Sequence, residues 1–168
     1  MSEVCFVGLG ANLGDAPAAV RGGIDALSRL AGTRLLRSSR LYRTAAWGVT
    51  GQPDFINAVA MLETSLAPLA LLDSLLAIER DAGRDRSAGT RWGPRTLDLD
   101  LLLYGDLAVD EPGLRVPHPH LHERAFVLVP LLEIAPEARI PGVGDAHELL
   151  ARMETAGVQA LTYGAPSA

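Results

Sequence analysis

Asp98 and Asp100 stand two positions apart in the stretch RWGPRTLDLDLLLYGD, Arg91 to Asp106, among Leu97, Leu99, Leu101, Leu102 and Leu103. In a strand, residues two apart point to the same face, so the carboxylates converge while Leu97, Leu99 and Leu101 turn to the other side. Two close carboxylates repel unless a proton or a cation lies between them. The plain account is a pair facing solvent or neutralised by nearby arginines. The chemical account is a hard-cation site, because Mg²⁺ is commonly held by one or two carboxylates together with substrate phosphates. Arg84, Arg86, Arg91 and Arg95 precede the pair in the glycine-containing stretch GRDRSAGTRWGPR. Guanidinium groups beside metal carboxylates, on a loop able to close over phosphates, suit Mg²⁺-nucleotide chemistry. A purely solvated arginine run is the competing account.

Other stretches carry weaker signals. VPHPHLHERAF places His118, His120 and His122 at alternate positions. Three such histidines could bind zinc, but Pro117 and Pro119 disfavour a regular strand and no cysteine lies nearby. The preferred reading makes at least one histidine a phosphate contact, with Arg124 as another cation; His147 reads as surface. In TAAWGVTGQPDFINA, Trp47, Phe55 and Asn57 offer two aromatics and an amide that could hold a flat heterocycle by stacking and edge hydrogen bonds. Core packing explains Phe55 equally well. GLGANLG follows a strand and opens a helix, but its glycines at 8, 10 and 14 miss the dinucleotide-fingerprint spacing by one residue. A tight strand-to-helix turn capped by Asn12 or Asp15 is expected instead. Cys5, the single cysteine, reads as a buried, inert thiol.

These residues need elements to hold them. Val4 to Gly8 reads as a strand, and Val20, Ile24, Leu27 and Leu30 mark a helix over Ala16 to Leu30. Thr33 to Thr44 and Phe55 to Thr64 read as extended, Leu69 to Ala82 as helix after Pro68, and Thr96 to Tyr104 as a buried strand. The order is βαββαβ, the ferredoxin-like arrangement of the α+β class: an antiparallel sheet with two helices on one face. A Pro/His-rich loop follows, then helices near Ala125 to Ile134 and Ala146 to Thr155. One domain over residues 1–163 is expected, with a flexible tail over 164–168.

The chain has 168 residues, 48% of them hydrophobic, which suits one domain with a real core. No apolar run is long enough to span a bilayer, and the N-terminus lacks a signal-peptide pattern, so a cytoplasmic protein without a membrane partner is expected. The net charge of -5 argues against nucleic-acid binding. All fifteen basic residues are arginine, which excludes a Schiff-base or Walker-type lysine and leaves phosphate to guanidinium forks.

Together, YRTAAWG, QPDFINAV, RWGPRTLDLDLLLYG and VPHPHLHERAFVLVPL resemble the 6-hydroxymethyl-7,8-dihydropterin pyrophosphokinase family of the folate pathway. The resemblance runs from the first strand to about Pro136. It implies a ferredoxin-like monomer that moves the β,γ-diphosphate of ATP to the hydroxymethyl group of 6-hydroxymethyl-7,8-dihydropterin, leaving AMP. It makes Asp98 and Asp100 ligands of two Mg²⁺ ions on ATP, with Arg84 and Arg95 joining them as catalytic residues. Arg84, Arg91, Arg95, His118 and Arg124 match phosphate-facing positions, Trp92 a loop aromatic that closes over the site, and Glu79 an acid on the ATP side. Phe55 and Phe126 would sandwich the pterin, Asn57 would read its polar edge, and Thr44 and Trp47 would complete its pocket. The chain departs from some relatives in having Gly113 in place of an arginine and Pro119 in place of a tyrosine, and the spacing from Arg86 to Arg91 is one residue longer. No dedicated general base stands out; positioning and charge stabilisation suffice in other phosphoryl transfers. Two other classes compete: a ligand-binding regulatory module on the same fold, and a carboxylate-metal nuclease, which the acidic net charge disfavours.

Overall fold

A computed structural model describes residues 2–45, 53–84 and 97–161, the Arg84 side chain excepted. Its centre is β1 (Glu3–Ala11), which pairs antiparallel with β4 (Phe55–Thr64) on one side and β5 (Asp98–Tyr104) on the other. Between β1 and β4 come α1 (Ala16–Ser28), β2 (Thr33–Ser38) and β3 (Tyr42–Thr44); α2 (Pro68–Arg84) precedes β5. Strands β2 and β3 both pair with β4, β2 along Ala60 to Thr64 and β3 along Phe55 to Asn57.

The extended run expected over Thr33 to Thr44 is therefore two strands. The break falls at Ser39, whose Oγ accepts the Val59 N–H at 3.0 Å while its own N–H donates to the Val59 carbonyl at 2.9 Å. A side chain takes over one ladder bond, and the chain turns away for two residues before pairing again. Strand β1 also runs three residues past the expected Gly8. The helix that follows is capped by Asp15, whose Oδ1 accepts the Ala18 N–H at 3.1 Å; Asn12 instead donates through Nδ2 to the Pro53 carbonyl at 3.4 Å.

Val20 and Leu27 of α1 and Leu71 and Leu75 of α2 pack with Val7, Leu9, Leu97, Leu99 and Leu101 on one face of the sheet. The other face is covered by a helix the sequence order alone does not place. That helix is α3 (Ala125–Ile134), whose Val127, Leu128 and Leu131 pack on Phe6, Val59 and Leu102. The sheet is thus the middle of three layers. A fully buried leucine or valine contributes about 1.5–3 kcal/mol, at about 25 cal/mol per Å² of apolar area removed from water, so both faces help to hold the sheet.

The segment between β5 and α3 forms a hairpin of β6 (Val109–Glu111) and β7 (Leu114–Val116), then a 3₁₀ turn over Leu121–Glu123. Gly113 closes the hairpin at φ 87°, after Pro112, in the Pro-Gly order of a type II turn. An arginine at 113 would have to adopt that left-handed conformation, so the glycine suits this turn. After α3 come β8 (Arg139–Ile140), β9 (Gly144–Asp145), α4 (Ala146–Leu150) and β10 (Gln159–Ala160), which adds to the sheet beside β3. The helix expected over Ala146 to Thr155 ends at Leu150. Asp145 caps its start, and turns follow it. Among the described residues no helix is long and apolar enough to cross a membrane.

Candidate active site

The glycines of β1 make the floor of a cleft. Gly10 pairs with Asp98 on β5 and with Asn57 on β4, and Asn57 pairs in turn with Tyr42 on β3. Directly paired residues share a face, so Asp98, Gly10, Asn57 and Tyr42 form one row across the sheet. Gly8 lies opposite Asp100 in the same way. With no side chains on Gly8 and Gly10, the row opens into a cavity of about 430 Å³ beside α3. A Cβ built on Gly10 would come within 2.8 Å of Asn57 Nδ2, so a larger residue would displace that amide. The fingerprint-like glycines thus serve as a cleft floor within a strand and do not form a phosphate loop. Their signal in the sequence was the two-residue spacing, which is that of one strand face.

Asp98 and Asp100 line one flank of the cavity, with His118 and Arg124 nearby; Thr44, Phe55 and Asn57 line the other, and Phe126 closes it from α3. Two inter-strand spacings separate Asp98 from Asn57, about 10 Å between backbones. Both aspartates are exposed to this space while Leu99 between them is buried on the opposite face. Phe55 is 38% exposed, unusual for a phenylalanine in a sheet and informative at the mouth of a cavity. Thr44 Oγ1 and Asn57 Oδ1 are buried, and neither has a hydrogen-bond partner among the described residues. Buried polar atoms are nearly always satisfied, so these two have capacity left for a further hydrogen-bond partner.

The outer edge of β5 is also occupied. Glu79 of α2 accepts the Leu99 N–H at 2.6 Å, and the His118 N–H donates to the Leu102 carbonyl at 3.0 Å. Glu79 is not in the cavity wall; its described bond supports the strand that carries the aspartates. His118 Nδ1 accepts the His120 N–H at 3.1 Å, which leaves Nε2 as the protonated donor of a neutral ring. Burial lowers the His118 pKa from its usual 6.5, Asp100 opposes this, and Arg124 and His120 lower it further. The Arg124 guanidinium stands 5.8 Å from the centre of the Phe126 ring. His120 and His122 both lie near Glu123, at 3.2 and 3.6 Å, away from any three-ligand centre; among the described residues no group of three metal-ligating side chains occurs. His147 is exposed in α4, and Cys5 is buried with its thiol pushed up to about 12 by burial. Trp47, Arg86, Arg91, Trp92 and Arg95 lie outside the described residues, and of Arg84 only the backbone at the end of α2 is described.

A donor set of two carboxylates, with no third protein ligand among the described residues, fits a hard divalent cation that completes its shell with substrate oxygens and water. It does not fit a structural zinc.

The family model for 7,8-dihydro-6-hydroxymethylpterin-pyrophosphokinase matches residues 6–136. The chain belongs to this family. Relatives named 2-amino-4-hydroxy-6-hydroxymethyldihydropteridine pyrophosphokinase include one from Pseudomonas aeruginosa, 47% identical over 161 residues, covering 96% of this chain and 98% of that protein. Another, from Methylorubrum extorquens, is 42% identical over 92% of this chain and 96% of its own. Membership makes the protein a pyrophosphokinase, an enzyme that moves a diphosphate group onto its acceptor. Its fold is similar to that of Plasmodium falciparum HPPK-DHPS solved with pterin and p-hydroxybenzoate, at a TM-score of 0.70 and 14% identity over 90% of this chain. A variant of that protein gives 0.73. The chain spans less than half the length of those structures, 43% and 45%.

Proposed function

We propose that the protein transfers the β,γ-diphosphate of ATP to the hydroxymethyl oxygen of 6-hydroxymethyl-7,8-dihydropterin, giving AMP and the pterin diphosphate for folate biosynthesis. The observation that carries this reading is the row from Asp98 across Gly10 to Asn57. It sets a carboxylate flank and a flank of buried polar atoms without partners among the described residues about two strand spacings apart over a bare floor. A phosphate chain and a flat heterocycle can lie side by side there, with the hydroxymethyl group between them.

The acceptor oxygen forms a bond to the β-phosphorus as the bond from that phosphorus to the α,β-bridging oxygen breaks; the bridging oxygen leaves on AMP, and the acceptor's proton passes to solvent. In this reading Asp98 and Asp100 hold Mg²⁺, two ions for each ATP, which when bound supplies positive charge to the phosphate oxygens. His118 donates from its neutral ring and Arg124 adds a fixed positive charge. Arg84, Arg91 and Arg95 are assigned further phosphate oxygens, and Trp92 covers the site. Phe55 and Phe126 stack on the two faces of the pterin, and Thr44, Asn57 and Trp47 complete its pocket. Glu79 acts through β5. Chemistry of this kind depends mainly on alignment and on charge placed where it develops, which removes the need for a dedicated base.

The unit β1-α1-β2/β3-β4-α2-β5 fits the ferredoxin-like βαββαβ pattern with its second strand split in two. We read the described residues as one domain, working as a cytoplasmic monomer. Calorimetric titration of the reduced pterin in the presence of Mg²⁺ and a non-hydrolysable ATP analogue tests the site. Binding should need both flanks, being lost for the pterin in Asn57→Ala and for the nucleotide complex in Asp98→Asn. Pterin binding unaffected by Asn57→Ala would place the ring elsewhere.

A further inference from the structure

Tyr42 is 4% exposed and lies on the same face of β3 as Thr44, beside Asn57 in the cross-strand row, just behind the cavity wall. Its hydroxyl donates to Glu133 Oε1 at 2.5 Å. Burial, then the bond to Glu133, pushes this phenol up to about 12, so it remains a donor at neutral pH. Both Glu133 oxygens also accept the Arg40 N–H at 3.2 Å, and the Arg40 guanidinium bonds the Tyr42 hydroxyl at 3.3 Å. Arg37 adds a bond from Nη1 to the Ile134 carbonyl at 3.0 Å. The segment joining β2 to β3 is thereby tied to the last turn of α3.

The first turn of the same helix carries Phe126. Phe126 and Glu133 are seven residues apart, almost two turns, so they share one stripe of α3 about 10 Å apart along its axis. Tyr42 and Thr44 share one face of β3. The two elements therefore meet along a single seam, joined by Tyr42 and Glu133 at one end and open as the cavity at the other, where Thr44 and Phe55 face Phe126. Apolar packing of Leu128 and Leu131 on Val59 seats the helix, but such packing is non-directional. The hydrogen bonds at Glu133 supply the direction, fixing how far α3 slides and turns.

We propose that Tyr42 and Glu133, with Arg40, are positioning residues that set the gap between Phe55 and Phe126 and so tune the cavity for a flat bicyclic ring; this rests on reading Phe126 as a ring-stacking residue. Neither side chain touches the substrate. Their effect passes through the placement of Phe126.

The test compares Tyr42→Phe, Glu133→Ala and Glu133→Gln, which keeps an acceptor for both donors. Affinities are measured by calorimetry for the dihydropterin, with Mg²⁺ and the ATP analogue present, and for the analogue alone. Groups in contact couple measurably, so a shifted Phe126 should weaken the pterin about fivefold or more in Tyr42→Phe and Glu133→Ala. Analogue affinity should stay within about twofold, and Glu133→Gln should bind pterin within about twofold of the unaltered protein. The deciding readout is the same pair of substitutions in a Phe126→Ala background, where they should add nothing further, because the group they position is gone. A penalty that adds in full there, or unaltered pterin affinity in Tyr42→Phe, overturns the proposal. Should Glu133→Ala not fold, Tyr42→Phe carries the same comparison. If Phe126→Ala alone leaves pterin affinity intact, the stacking reading fails first, and the positioning role with it.

Discussion

Glu79 and Leu99 are joined by a 2.6 Å hydrogen bond from the strand N–H to the helix carboxylate, at the residue between Asp98 and Asp100. Leu99 is buried toward α1 and α2 while its two neighbours face the cavity. One bond therefore anchors the middle of the pair without touching the space the pair faces. An acid that sequence resemblance places on the ATP side is bonded, by this geometry, to the strand that carries both aspartates.

Glu79→Ala should cost stability by about 1–3 kcal/mol, because it leaves a buried N–H without its acceptor. Turnover should fall with it. Glu79→Gln keeps an acceptor and should lie closer to the unaltered protein on both counts. Urea denaturation and steady-state rates on the same samples check this; equal stability in all three would mean that the bond contributes nothing to the fold.

Asp98→Asn and Asp100→Asn should each lower the rate by about a hundredfold, the roughly 3 kcal/mol typical of a lost charge-stabilising group. Without metal the same substitutions should leave stability unchanged or raise it, since two like charges on one strand face are reduced to one. Chelation of the unaltered enzyme with EDTA should abolish turnover without unfolding it. Near-normal rates in either variant would remove the aspartates from the metal site.

Phe126→Ala should weaken pterin binding by about 1–3 kcal/mol, by analogy with base-aromatic stacking, and change ATP-analogue binding little. Calorimetry of the two ligands separates these effects. Equal losses for both would make Phe126 a packing residue.

His118 should titrate below 6.5 in the ligand-free protein, followed by NMR of its ring protons, because burial disfavours the imidazolium. The sign for stability follows. The unfolded chain takes up this proton first, so the contribution of His118 is fully present above pH 6.5 and declines as pH falls from there toward the folded-state value. A midpoint above 6.5 would mean that Asp100 outweighs burial.

Much of this arrangement was legible in the residues. The alternation of Phe55 to Thr64 and the apolar run from Ala125 to Ile134 mark β4 and α3 at their full lengths. Period two in LDLDL gives the facing of Asp98 and Asp100. What the sequence hides is whatever depends on distant partners. Gly10 looks like a turn residue because nothing local shows that strands flank it on both sides. The break at Ser39 depends on its side chain meeting Val59, and α3 takes the second sheet face because Leu102 and Val59 leave an apolar surface there. That Thr44 Oγ1 and Asn57 Oδ1 lack partners among the described residues emerges only once burial is known. Tyr42 and Glu133 lie 91 positions apart in the chain, and no periodicity links them.

The most direct measurement is the product balance by ³¹P NMR when ATP, Mg²⁺ and 6-hydroxymethyl-7,8-dihydropterin are incubated with the protein. Diphosphate transfer should give AMP and pterin diphosphate together in equal amounts, with neither formed when the pterin is omitted. ADP with a pterin monophosphate, or phosphate released without change in the pterin, would contradict it.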